Sequence, residues 1–399
     1  MTATINAHGL DGGLVAPDWP PLTGPETFAL LRRFPECDGP IKILSVSPRP
    51  FSAASVVAVG AKRVFVKRHP CIVRDREGLL EEHRFLDHLR GRGAPVAQVL
   101  ATDTGETAIE IGDWTYEVHA AMEGVDLYEQ AISWTPFRSA RHAFSAGEML
   151  ARLHRLAEGF TEPARKVQPL VSSFSIFASA DPATAMRKYL DARPALAHNA
   201  ATRQNCDEAL EQIHRFHAEL LPLSPELSPL WTQNDLHGSN TFWSDTSEDA
   251  RAVGAVDFGL ADRTNAVHDL AIAIERNIVE WLTLMNDPTQ PNNVAVHIDQ
   301  LDALLAGYER VRPLSNEEAA ALAPMTALCH AEFALTEADY FLGVLRSPEK
   351  ARVATDAYLV GHARWFHSSA GRALLDHLRR WAHYRVQMRE TMEREAAGR

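Results

Sequence analysis

Apolar residues in the first third of the chain come in short runs typical of strands. Residues 56–66 predict a hairpin, with "VVAV" and "VFV" as its arms and Gly60-Ala61-Lys62 as its turn. Leucine and phenylalanine then recur at helical spacing in "EGLLEEHRFLDHLRGRG", which predicts one long helix that ends near Gly91 and Gly93. The runs "VAQVLATD" and "TYEVHAAM" predict two more strands.

The pattern changes after Gly124 to helical periodicity. Amphipathic stretches such as "RHAFSAGEMLARLHRLAEGF" and "CDEALEQIHRFHAELL" alternate with two short strand–loop units, "WTQNDLHGSNTFW" and "AVGAVDFGLA". The predicted fold class is therefore α+β, with a small β-sheet lobe joined to a larger and mostly helical lobe. We predict a loose leader over residues 1–24, rich in Gly and Pro, a small lobe over 25–121 and a helical lobe over 122–399.

Composition narrows the possible partners. The 399 residues carry a formal net charge of −12, which argues against nucleic acids and anionic membranes as partners. No apolar run reaches the roughly 20 residues that a membrane span needs. The four cysteines are scattered without a CxxC pair, as expected of reduced thiols in a cytoplasmic protein. The oligomeric state stays open.

Four polar features along the chain suit phosphoryl transfer to a hydroxyl group. Such a reaction needs a carboxylate near the hydroxyl, oxygen ligands for Mg²⁺ and a cation on the phosphates. Asp235 and Asn240 lie five residues apart in one loop, and Asp257 follows the apolar run "VGAV". Lys67 ends the hairpin, and the next helix carries Glu81 and Glu82. The order and spacing of these features, rather than any single residue, predict a kinase-like site.

These motifs resemble those of the aminoglycoside phosphotransferase and choline kinase family, which has a protein-kinase-like two-lobe fold. "QNDLHGSN" is similar to that family's H-G-D-x-H-x-x-N loop, and "VDFGLADRTNAVHDLA" to its metal-binding segment. The resemblance covers about residues 40–345 and is strongest over 231–270. It implies use of ATP or GTP with Mg²⁺, and a small hydroxyl acceptor that is aminoglycoside-, amino-alcohol- or sugar-like.

The resemblance also implies residue roles. Asp235 would be the catalytic base, and Asn240 and Asp257 the Mg²⁺ ligands. Lys67 would bind phosphate, held by Glu82, which the register favours over Glu81. The remaining implied roles are phosphate contacts for Ser52 and Ser55, adenine recognition by the hinge from His119 to Met122, and support of the catalytic loop by His237 and Asp269.

His237 and three further residues have alternative roles. His237 could instead touch the acceptor. Arg49, in the loop "SPRPFSAAS", is either a further phosphate contact or a solvated turn residue. Glu332 and Asp339 share a helix face and form either an acidic wall for an amine-bearing acceptor or a solvated face.

Three departures from the family pattern bear on activity. Gln233 stands where the family usually has His, and Asn234 where it has Gly; the phosphate-covering loop has no glycine. A glutamine can still donate a hydrogen bond to a backbone carbonyl, so the loop could keep its shape. The alternative function is a kinase-fold nucleotide-binding or regulatory protein without turnover. A metal-dependent hydrolase based on His237 and Asp257 lacks a second histidine at ligand spacing.

Overall fold

The computed structural model describes residues 17–397, and side chains up to residue 387. The predicted leader therefore lies mostly outside the described residues, and its last residue, Gly24, begins a helix. The small lobe contains, in chain order, α1 (Gly24–Leu31), β1 (Ile41–Val46), β2 (Ala53–Val59), β3 (Lys62–Pro70), α2 (Arg76–Gly91), β4 (Ile109–Ile111) and β5 (Trp114–Ala120).

The five strands form one antiparallel sheet in the order β1-β2-β3-β5-β4. The predicted hairpin is β2–β3, with Val59 opposite Lys62 across the turn. On the other side of β3, Lys67 lies opposite Glu117 of β5. Valines on one face of the sheet pack against α1, whose Leu30 and Leu31 are buried there. The opposite face carries Lys67 toward the large lobe.

The segment "VAQVLATD" does not form the predicted strand. Within it, Val96 and Val99 make single bridges, to Ala255 and His119 respectively, outside the named strands. Val96 is buried in the cluster formed with α2 and the large lobe. Apolar residues of this short segment are thus buried by contacts with both lobes, and a buried run can do this without a strand partner along its length.

The large lobe is mostly helical. Its helices are α3 (Ala140–Ala157), α4 (Pro182–Asp191), α5 (Pro194–Ala197), α6 (Ala200–Leu220), α7 (Ala266–Ile278), α8 (Trp281–Asn286), α9 (Ile298–Val311), α10 (Asn316–Leu328), α11 (His330–Asp339), α12 (Pro348–Arg352), α13 (Gly361–Trp365) and α14 (Ser369–Ala397). Shorter 3₁₀ turns cover Leu221–Glu226, Gly238–Asn240 and Pro291–Asn293, and π-helical segments cover Tyr340–Val344 and Val353–Val360. None of the helices within residues 17–397 is long and apolar enough to cross a membrane.

Two short strand pairs carry the polar loops between the helices. β6 (Pro229–Thr232) pairs with β9 (Asp262–Asn265), and β7 (Thr241–Trp243) pairs with β8 (Ala252–Ala255). The loop from β6 to β7 holds Asp235 and Asn240, and the loop from β8 to β9 holds Asp257. These pairings bring the two loops side by side beneath the sheet of the small lobe. The α+β, kinase-like fold predicted from the sequence is confirmed.

Helices α3 and α9 cross very closely because each places a glycine at the crossing. A Cβ atom on Gly147 would lie 2.1 Å from the carbonyl oxygen of Leu304, and one on Gly307 would lie 1.9 Å from that of Phe144. Real Cβ atoms do not approach backbone oxygens this closely, so both glycines are needed for the contact between these helices.

We therefore expect Gly307→Ala to lower the free energy of unfolding by about 1–3 kcal/mol or more, the usual cost of overpacking a core. Urea denaturation followed by circular dichroism measures this change. Gly91→Ala is the matched control, since a Cβ there meets no atom within 4 Å. Equal stability of Gly307→Ala and the unmodified protein would contradict the close crossing.

Candidate active site

The buried carboxylate of Asp269 holds the catalytic loop in place. Asp269 lies in the first turn of α7, which Asn265 begins by accepting a hydrogen bond from the amide of His268 at 2.9 Å. The Asp269 carboxylate accepts hydrogen bonds from the amides of Gln233 (3.1 Å) and Asn234 (2.9 Å). His154 of α3 adds a contact at 3.0 Å from its Nε2. This geometry agrees with the supporting role implied for Asp269.

The two residues that depart from the family pattern are both accommodated. The side-chain amide of Gln233 donates to the carbonyl of Val256 at 2.7 Å, so the expected hydrogen bond from glutamine to the backbone is confirmed. Asn234 has φ = 62°, in the left-handed region where glycine is favoured and asparagine is tolerated. The Asn234 side chain also donates to the carbonyl of Ser172 at 2.9 Å. The loop is therefore held by hydrogen bonds from the side chains of the Gln and Asn that replace the family's His and Gly.

Asp235 and Asn240 face each other across the loop. The Asn240 amide nitrogen donates to the carbonyl of Asp235 at 3.0 Å and to its Oδ2 at 2.9 Å. Because the amide nitrogen of Asn240 points at Asp235, its Oδ1 points elsewhere and can serve as a ligand. His237 Nε2 lies 3.6 Å from Asp235 Oδ2, and its Nδ1 contacts Ser239 at 2.8 Å. His237 also lines the cavity in front of Asp235, which is compatible with either role considered for it.

Asp257 and Lys67 connect the two lobes. Lys67 Nζ donates to Asp257 Oδ1 at 3.0 Å. Asp257 has φ = 57°, an unusual backbone conformation that marks a constrained turn. Burial alone would raise the pKa of the Asp257 carboxyl, but the Lys67 ammonium lowers it below its usual value. Burial would likewise lower the pKa of Lys67, and neighbouring carboxylates, Asp257 first among them, raise it instead.

The predicted ion pair between Lys67 and Glu82 is not formed; in the described residues the ammonium pairs with Asp257. Glu82 is buried and lines the same cavity as Lys67. Its negative charge helps to raise the pKa of the Lys67 ammonium without a direct ion pair. The sequence register placed Glu82 on the correct helix. It could not show that the turn carrying Asp257 would bring a second carboxylate closer to the lysine.

Of the two serines predicted to contact phosphate, only Ser52 lies in the cleft. Ser52, like Lys67, lines both the cavity between the sheet and the hinge and the cavity in front of Asp235. Ser55 is fully buried on β2 opposite Val66, and therefore faces the core behind the sheet. Side chains along a strand alternate between its two faces, so Ser55 cannot reach a phosphate in the cleft. The expected role of Ser55 is wrong.

Arg49 is not a solvated turn residue, and its role as a phosphate contact stays a prediction, since Arg49 lines both cavities of the cleft. Its guanidinium donates to the carbonyls of Ala131 at 3.0 Å and Glu129 at 3.3 Å, and thus ties the phosphate-covering loop to the segment that follows the hinge. The hinge itself borders the cleft, because His119 and Met122 both line the cavity between the sheet and the hinge.

Glu332 and Asp339 do not form an acidic wall beside Asp235. The Glu332 carboxylate is buried and accepts hydrogen bonds from the hydroxyls of Ser173 (2.6 Å) and Ser175 (3.0 Å). Asp339 pairs with Arg193 at 3.9 Å. Neither residue lines the cavity in front of Asp235. Helix α11 is buried along its length, so the face they share is neither a wall of this cavity nor solvated.

Two features of the site had no prediction from the sequence. Arg276 of α7 lies two turns after Asp269 and reaches Asp235, with its Nη2 at 3.3 Å from Oδ1. The sequence signal for this contact was the spacing of seven residues between Asp269 and Arg276, which places both on the same helix face.

In the small lobe, the Glu117 carboxylate contacts the Nε2 atoms of His69, His83 and His119 at 3.0, 3.0 and 2.7 Å. Only tertiary structure brings these three histidines together.

Two adjoining cavities occupy the cleft. The larger, of about 340 Å³, lies between the sheet and the hinge and is lined by Lys67, Glu82, His119 and Met122. The smaller, of about 170 Å³, lies in front of Asp235 and Arg276. Asn240 and Asp257 line both cavities. Their amide and carboxylate oxygens are the hard ligands that Mg²⁺ prefers, so the residues fit a metal at the boundary between the cavities.

The hydrogen bond from Gln233 can be tested by Gln233→Leu, which keeps the size of the side chain and removes the donor. We expect the free energy of unfolding to fall by about 1 kcal/mol, because the partly buried carbonyl of Val256 loses that donor. Gln204→Leu, at an exposed position of α6, is the control. Denaturation midpoints that fall equally in both variants would show that the hydrogen bond of Gln233 contributes nothing specific.

Comparison with known proteins gives relatives in sequence and in fold. The chain is 28% identical over 309 residues to an uncharacterised protein of Deinococcus radiodurans, with 76% of each chain covered. The structure of a microcompartment-associated aminopropanol kinase is similar with a TM-score of 0.56 at 16% identity, covering 86% of this chain and 98% of that one. An amicoumacin kinase is similar with a TM-score of 0.53 at 12% identity, covering 86% and 94%.

These two structural likenesses concern the fold. The sequence itself matches the profile of the phosphotransferase enzyme family, known as APH, over residues 49–314, which is more than half of its length and includes Lys67, Asp235, Asn240 and Asp257. The membership expected from the motifs is confirmed. The chain belongs to the phosphotransferase enzyme family.

Proposed function

We propose that this protein is an ATP- and Mg²⁺-dependent kinase that transfers the γ-phosphate onto a hydroxyl group of a small molecule. The observation that carries the proposal is the convergence of Lys67, Asp235, Asn240 and Asp257 on one cleft between the lobes. The amicoumacin kinase structure contains AMP-PNP, and a spectinomycin phosphotransferase of similar fold contains ADP. Both facts support nucleotide use here.

Each residue would take one part of the reaction. Lys67 holds the phosphates from the small lobe, and Asn240 and Asp257 hold Mg²⁺ from the large lobe. The metal would neutralise charge on the phosphates during transfer. Asp235 accepts a hydrogen bond from the acceptor hydroxyl, orients its oxygen toward the γ-phosphate and takes up its proton. The amide of Asn240 keeps the Asp235 carboxylate in position.

The alternative of a nucleotide-binding protein without turnover rests on Gln233, which replaces a titratable residue of the family. The retained hydrogen bond from Gln233 to Val256 weighs against this alternative, because the catalytic loop keeps its support. Asp235, Asn240 and Asp257 are also all present on the cleft. Turnover is therefore the better-supported proposal.

The catalytic role of Asp235 predicts that Asp235→Asn lowers kcat by about 10²–10⁴-fold, the range expected when a positioned base is removed. The assay is ADP formation with ATP, Mg²⁺ and a panel of alcohols, sugars, amino alcohols and hydroxy acids. Asp245→Asn, in an exposed loop, is the control and should keep full activity. Nucleotide binding without ADP formation by any panel member would support the alternative instead.

The metal role of Asp257 predicts a different result. Asp257→Asn should remove the gain in nucleotide affinity that Mg²⁺ provides, because one carboxylate ligand is lost. Calorimetric titration of AMP-PNP with Mg²⁺, and again with EDTA, separates the two affinities. If Asp257→Asn binds the nucleotide with an unchanged dependence on Mg²⁺, Asp257 is not a metal ligand.

A further inference from the structure

The acceptor cavity is small. Its volume is about 170 Å³, and a buried cavity of about 150 Å³ is known to hold one benzene molecule. The space in front of Asp235 thus takes a body of roughly one ring, or a chain of similar size. A multi-ring aminoglycoside is several times larger than this space.

The walls around this space are largely apolar. Trp134, Leu170, Phe333 and Phe341 line the cavity, and Trp134 and Phe333 are almost fully buried. Such walls favour the binding of an apolar or aromatic acceptor, because its apolar surface is removed from water in the cavity. They offer little to a polyhydroxylated sugar, whose hydroxyls would lose hydrogen bonds to water.

The charges around the cavity favour an anionic acceptor over an amine. Five cationic side chains line it: Arg49, Lys67, Arg74, Arg276 and Lys350. The acidic side chains that line it are Asp18, Asp235, Asp257 and Glu337. The lining thus holds one more cationic than acidic side chain, and Glu337 lies close enough to Arg276 for the guanidinium to lower the pKa of its carboxyl against the effect of burial, which raises it.

Most of these cations are already engaged by the protein. Lys67 pairs with Asp257 and Lys350 with Asp18. The guanidinium groups of Arg49 and Arg74 donate to backbone carbonyls.

Arg276 differs from the other four. It is 2% exposed, yet its Nε and Nη2 have no hydrogen-bond partner among the described residues. Its ionic contacts are Asp235 at 3.3 Å and Glu275 at 3.8 Å, and the Phe333 ring centroid lies 4.0 Å from its Cζ. Buried guanidinium donors such as Nε and Nη2 are costly to leave without hydrogen bonds, and a carboxylate is the group that best satisfies them.

We propose that the acceptor is a small hydroxy acid with an apolar or aromatic body, whose hydroxyl meets Asp235 and whose carboxylate meets Arg276. This inference rests on the proposed kinase function and names its substrate class. Asp235 and Arg276 are in contact, so the hydroxyl and the carboxylate must be close in the acceptor, as they are on adjacent carbons. The aromatic walls take the remainder of the molecule.

The test compares three acceptors that share a phenyl ring and a hydroxyl-bearing carbon. They are phenyllactate, its analogue with a methyl group in place of the carboxylate, and its analogue with an aminomethyl group there. We expect kcat/KM for phenyllactate to exceed that for the methyl analogue by about tenfold or more, as a charge-assisted hydrogen bond provides. The aminomethyl analogue should be the poorest of the three, and kanamycin should not stimulate ADP formation.

Variants of Arg276 assign the preference to this residue. Arg276→Met should reduce the preference for phenyllactate to within about threefold, whereas Arg276→Lys should keep part of it because the charge remains. Arg215→Met is the matched control, since Arg215 also lies over a phenylalanine ring, at 4.4 Å, but on the exposed side of α6. Circular dichroism and AMP-PNP affinity verify that each variant is folded.

Three outcomes would overturn the inference while leaving the kinase proposal intact. They are faster turnover of the aminomethyl analogue, turnover of sugars or aminoglycosides but of none of the phenyl probes, and an undiminished preference for phenyllactate in Arg276→Met. Absence of ADP formation with every acceptor, including small amino alcohols, would refute the kinase proposal itself.

Discussion

The active site depends on one buried carboxylate. Asp269 accepts hydrogen bonds from two consecutive amides of the catalytic loop and contacts His154 of α3, all inside the large lobe. A buried carboxylate is stable only when such donors surround it. The position of α7 is thereby coupled to that of the loop, and through the loop to Asp235 and Asn240. The proposed contacts of Asp235 and Asn240 are built on this connection.

The same helix also sets the character of the acceptor site. Because Asp269 and Arg276 are two turns apart on α7, the residue that fixes the loop and the residue that contacts Asp235 share one helix face. Arg276 places a buried guanidinium beside Asp235, where the carboxylate of the proposed acceptor would bind. Loop support and the proposed acceptor preference therefore derive from one structural element.

The two side chains that replace family residues in the catalytic loop both make hydrogen bonds to backbone carbonyls. Gln233 supplies the hydrogen bond to the Val256 carbonyl, and Asn234 adopts the left-handed conformation expected of glycine while its own amide binds the Ser172 carbonyl. These substitutions remove a titratable group, and the side chains present hold the loop through hydrogen bonds to the carbonyls of Val256 and Ser172.

The sequence alone determined the α+β class, the order of the catalytic motifs and the family, because periodicity and motif spacing are local properties of the chain. It also predicted the roles of Gln233 and Asp269 in the loop. Tertiary structure decided the partner of Lys67, the inward orientation of Ser55 and the burial of Glu332, since each depends on how distant segments pack. The contact of Arg276 with Asp235 likewise exists only once α7 lies beneath the loop. Long-range packing, which no local pattern encodes, therefore decided the chemistry of the acceptor cavity.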